Sequence, residues 1–273
     1  MPELSGAKGA RRNPARRERN LILAGLVVVT GLAWALVLWQ GAAGASERGE
    51  MGMEGLAPMG LTMGLAAPLF LAAWVIMMAA MMFPPAAPML LAFASIHAQR
   101  RARGQSVVPT AVFSAGYLLV WAAFGGAAYV AATGVDALAS QSAWLAANAE
   151  RVVGALLVLA GLYQLSPLKR ACLRQCQSPL AFFATSWRDG YAGALRMGVK
   201  HGVFCLGCCW LLFVLLFPLG VMNVPVMLAL ALLIAAEKLL PIGQRVAQAS
   251  GGLLIGVGAL LLIVSPHVLP VLL

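Results

Sequence analysis

The residues best suited to chemistry crowd into one segment, KHGVFCLGCCW, from Lys200 to Trp210. His201, Cys205, Cys208 and Cys209 stand at i, i+4, i+7 and i+8, which form one stripe on a helix. Thiolates and imidazole are soft or borderline donors that suit Cu(I), Zn(II) or an iron–sulfur centre. Cysteine is also a small apolar residue at home in buried helices, so simple packing stands as the alternative. Cys172 and Cys176, in KRACLRQC, form a second pair one helical turn apart. Beside Lys169, Arg170 and Arg174 they read as a thiolate exchange site; idle thiols among topology-setting charges are the other reading.

Thioethers come next. WVIMMAAMMFPP places Met77/Met81 and Met78/Met82 in two i, i+4 pairs. Thioethers at this spacing can pass Cu(I) along a helix, because protons compete weakly for sulfur; methionine is equally an ordinary core filler. Met51, Met53, Met59 and Met63 with Glu54 form a looser group that reads first as an interfacial loop and second as a Cu(I) collector. Glu237 and Lys238 are charges late in an apolar run, where they serve either as a functional pair or as a snorkelling anchor. His97 and His267 are isolated and carry no assigned role. No Ser–His–Asp set, phosphate loop or zinc-protease helix is present, so nothing points to an enzyme.

Such donors need elements to position them, and the composition says which. The chain has 273 residues, 62% of them hydrophobic and 10% charged, with mean hydropathy +0.88. Those values exclude a disordered chain and point to a polytopic membrane protein. The uncharged runs predict about seven spans: Leu21–Trp39, 66–94, 107–132, 151–165, 200–221, 225–240 and 251–264. The second is interrupted by Pro84, Pro85 and Pro88. No strand-period pattern appears, so the expected fold is an all-α transmembrane bundle over residues 21–273, behind a basic cytoplasmic tail at residues 1–20.

Charge gives orientation. With the amino terminus inside, the inside segments hold all of the 19 Lys and Arg except Arg48 and Arg151. The net charge of +10 is thereby a topology signal and contact with anionic lipid; nucleic acid is not an expected partner. The bilayer is, together with a cytoplasmic or periplasmic metal-carrier protein. Five cysteines, all after residue 171, do not form a secreted disulfide framework.

Depth links the pieces. Cys209 and Glu237 each lie 14 residues from Asn223, where a tight outer turn is expected. At about 1.5 Å per residue both sit roughly 21 Å from that turn, and Met78 and Met81 reach a similar layer from Ala66. A single helix seldom wraps a whole tetrahedron. The missing donor for Cys205, Cys208 and Cys209 is therefore sought in Met78, Met81 or Glu237, the thioethers favouring Cu(I) and the carboxylate Zn(II).

WVIMMAAMMFPP, YQLSPLKRACLRQC and GVKHGVFCLGCCW, followed by GVMN and AAEKLLPIG, resemble a family of bacterial integral membrane proteins predicted to bind metal, built on a domain of unknown function. The resemblance runs from about Ala66 to Gly258. It implies a multi-pass protein of the bacterial inner membrane with a metal site, and no particular reaction. The family often has Leu-Met after CCW; Leu211-Leu212 stands here, so no methionine ligand is placed there. Three functions are expected in descending order. The first is handling of a soft ion, Cu(I) before Zn(II), with Cys205, Cys208, Cys209 and His201 as ligands, Met77, Met78, Met81 and Met82 as path, and Cys172 and Cys176 as exchange site. The second is a thiol-redox protein cycling a cysteine pair, and the third a non-enzymatic accessory subunit.

Overall fold

Two Ser-Pro steps punctuate the middle of the chain and shape the part of the fold that matters most. Proline disfavours the helical conformation of the residue before it, and Ser166 is accordingly extended (φ −67°, ψ 149°). Its hydroxyl accepts from the Lys169 amide at 3.1 Å, capping a new helix with Pro167 in its first turn. The helix before this break and the one after it meet at 61°. Ser178-Pro179 repeats the break and starts another short helix.

In a computed structural model that describes residues 14–50, 61–62, 64–221 and 223–264, the helices are α1 (Pro14–Glu50), α2 (Ala67–Ala102), α3 (Thr110–Gln141), α4 (Ala143–Ala147), α5 (Ala149–Leu165), α6 (Pro167–Gln177), α7 (Pro179–Ser186), α8 (Gly190–Val214), α9 (Leu216–Leu219), α10 (Val224–Leu239) and α11 (Gly243–Ile263). Every expected apolar run is helical, and no strand occurs among the described residues. Five helices are long and apolar enough to cross a membrane, or six if the bent α5–α6 pair counts as one; α10, at 16 residues, falls below that length.

Two expected boundaries are corrected. The fifth apolar run was expected to start near Lys200, but α8 begins at Gly190, so part of the expected polar connection is helix. The second was expected to break at its prolines, yet α2 passes through Pro84, Pro85 and Pro88 without interruption. Pro84 has no amide hydrogen and so frees the carbonyl of Ala80 four residues earlier. The Trp34 indole of α1 donates to that carbonyl at 3.1 Å, which shows how a neighbouring helix re-satisfies a backbone group inside an apolar bundle.

Packing relies on small residues. α3 lies along α8 with Gly116 against the Leu195 carbonyl and Gly198 against the Phe113 carbonyl, where any side chain would collide with backbone. α5 and α11 approach in the same way at Gly161 and Gly251. Small residues of this kind let apolar helices come close enough for dispersion contacts to hold them. The α3–α8 approach brings the fully buried stripe Phe113, Tyr117 and Trp121 onto the cysteine face of α8. The core draws on α1 to α3 and α5 to α10, with all four methionines of WVIMMAAMM in it. α1 turns Ala33 and Val37 into that core and leaves Leu32, Leu36, Leu38 and Trp39 exposed.

Candidate metal centre

His201, Cys205, Cys208 and Cys209 are all buried on the inward face of α8, each at most 2% exposed. Cys205 is the hub. Lys238 of α10 donates to its sulfur at 2.9 Å, and the Tyr117 hydroxyl of α3 shares a hydrogen bond with it at 3.0 Å. The same Lys238 ammonium reaches the Met82 sulfur at 3.8 Å. A buried cation thus lies between a thiol on one helix and a thioether on another. Cys208 and Cys209 turn back on their own helix and donate to the Cys205 carbonyl at 3.1 and 2.8 Å.

Cys176 joins this group. It is buried, in the same core cluster as Cys205, Cys208 and Cys209. Cys172, one turn earlier and half-buried, lies with its sulfur 2.8 Å from where a side chain on Gly207 would begin. Both cysteines of the expected exchange pair thus lie on α6 where it packs against α8, Cys176 within the core that holds the α8 thiols. Of the three cations expected beside them, Lys169 reaches the Glu237 carboxylate at 2.7 Å.

Glu237 is thus engaged by a cation of α6. One carboxylate oxygen accepts from Lys169 and the other from Gln164 at 2.8 Å, while the Glu237 carbonyl accepts from Gln177 at 2.7 Å. Glu237 and Lys238 are neighbours in sequence and share the expected layer, but successive helical residues point about 100° apart. One ties α10 to α6 and the other ties α10 to α8 and α2. Of the methionines, Met82 is the one whose sulfur meets the Lys238–Cys205 pair; Met77, Met78 and Met81 are buried in the surrounding core. Met51, Met53, Met59, Met63, Glu54 and His267 lie outside the described residues.

His201 has a different environment. Its ring stacks on Tyr117 at 5.3 Å and Phe113 at 6.0 Å, with Phe182 edge-on at 5.7 Å, and neither nitrogen has a hydrogen-bond partner. Among the described residues no three His, Cys, Asp or Glu side chains are grouped so that they could hold a metal ion. The reason is visible in the contacts above: Cys208 and Cys209 bond to backbone and Cys205 holds an ammonium.

Sequence reasoning missed Tyr117 and the roles of Lys169 and Gln164. The signal for Tyr117 was present as aromatics at four-residue spacing, Phe113, Tyr117 and Trp121, on one face of α3.

Residues 71–261 match the PpoB2 family, described as a copper chaperone. The chain belongs to the PpoB2 copper chaperone family. The matched stretch contains all five cysteines, His201, Met77, Met78, Met81, Met82, Tyr117, Glu237 and Lys238, so the family's copper relation and the buried sulfur layer fall in the same part of the chain. No curated protein and no solved structure matches it.

Proposed function

We propose that this member of the PpoB2 copper chaperone family is a multi-pass protein of the bacterial inner membrane that holds Cu(I) in its buried sulfur layer and hands it to a carrier protein. The observation that carries the reading is the burial of soft donors from three helices in one core cluster: Met82 of α2, Cys176 of α6, and Cys205, Cys208 and Cys209 of α8, with Lys238 bonded to Met82 and Cys205. The family name supports copper. Sulfur donors with no carboxylate among them favour Cu(I) over Zn(II), and Glu237, the one nearby carboxylate considered as a ligand, is engaged by Lys169.

A membrane location is supported by the long apolar helices and by the apolar side chains that α1, α3 and α11 leave uncovered, which water would penalise and lipid would not. The basic segments orient the chain with its amino terminus inside.

Elemental analysis of protein purified under reducing conditions tests the proposal. One copper ion per chain is expected in the wild type and none in Cys205→Ser/Cys208→Ser/Cys209→Ser, whose fold is checked by its thermal unfolding. Retention of the full copper content by the triple variant would leave these cysteines as packing residues.

A further inference from the structure

Beneath the sulfur layer, at the basic end of α8, a cleft of about 260 Å³ opens between α7 and α8. Its wall carries Arg188, Arg196 and Lys200, with Lys200 donating to Ser186 at 2.8 Å. Asp189, beside it in sequence, does not line the cleft and instead pairs with Arg100 at 2.8 Å. The cleft therefore presents cations with no carboxylate in its lining. Met197, only 1% exposed, also lines it.

Met197 starts a ladder. Met197, His201 and Cys205 are successive i, i+4 positions, all buried on one face of α8, each about 6 Å further along the axis at 1.5 Å per residue. The middle rung is the imidazole with two unpartnered nitrogens. A buried polar group without a partner calls for an explanation, and a passing soft cation supplies one: it would meet a thioether, then an imidazole walled by Phe113, Tyr117 and Phe182, then the thiols.

Resting on the copper reading above, we infer that the α7–α8 cleft is the port through which copper is exchanged, and that it recognises the metal as an anionic Cu(I)–thiolate complex. Arg188, Arg196 and Lys200 attract the anionic complex. Each step is a ligand exchange at constant oxidation state. The donor's Cu–S bond breaks as the bond to Met197 forms, the ion moves on to His201 and then to Cys205, and the released thiolate takes up the proton that the receiving cysteine gives up.

The test follows copper loading of the full-length protein, anaerobically, from two probes: the anionic glutathione complex of Cu(I) and the cationic acetonitrile complex. Arg196→Gln/Lys200→Gln changes exposed residues only. It should slow loading from the glutathione complex about ten-fold or more, in line with the rate gains from charge-lined clefts, while leaving final copper content and loading from the acetonitrile complex unchanged. Met197→Leu, which keeps the volume and removes the sulfur, should slow loading from both probes. Wild-type loading rates from the glutathione complex in the double variant, or equal slowing from both probes, would overturn the port. Failure of the wild type to load from either probe would overturn the copper reading itself.

Discussion

Replacing Lys169 by methionine is expected to destabilise the protein by about 3–5 kcal/mol, because it leaves the Glu237 carboxylate buried without its cation. Both side chains are 1% exposed and their charged atoms stand 2.7 Å apart. In an apolar interior an unpaired carboxylate has no water to turn to, and the Gln164 amide, which already donates to it, cannot replace a cation. The pair fastens α6 to α10, and α6 carries Cys176 into the thiol group, so loss of the pair should also loosen the site. Unfolding in detergent micelles measures the effect. Lys169→Met/Glu237→Gln, which removes both charges, should recover most of the lost stability. A double variant no more stable than Lys169→Met would show that the charge pair is not what joins these helices.

The largest effect on copper is expected at Cys205. Removing an outer partner of a metal ligand typically lowers affinity about 10–100-fold. Tyr117→Phe deletes one hydroxyl 3.0 Å from the Cys205 sulfur and should fall in that range. Cys205→Ser removes the ligand and should exceed it. Competition against a Cu(I) chelator ranks the two variants, and the order is the discriminating result. Equal affinities for wild type and Cys205→Ser would remove the hub from the site.

The helices, and the stripe on α8, were legible because both are local properties. Apolar runs specify helices, and 3.6-residue periodicity aligns His201, Cys205, Cys208 and Cys209 whatever surrounds them. The depth count from Asn223 was made for Glu237, but it is the neighbouring Lys238, read as a snorkelling anchor or half of a functional pair, that meets Cys205. Which neighbour each charge would choose was not legible. Glu237 and Lys238 differ by one residue, and their partners are set by the 61° break at Ser166-Pro167, which swings Lys169 toward α10 and Cys176 toward α8. The Ser-Pro step was in the sequence as a helix boundary, but the angle between the flanking helices depends on packing. The unbroken passage of α2 through three prolines is the same kind of miss: Trp34, some 46 residues away in sequence, supplies the donor that periodicity along α2 cannot reveal.

X-ray absorption at the copper edge of the loaded protein tests whether sulfur from the cysteine cluster and Met82 holds Cu(I). A monovalent edge and a coordination shell made of sulfur alone are expected, both lost in Cys205→Ser. A divalent edge, or a shell dominated by nitrogen and oxygen, would contradict it.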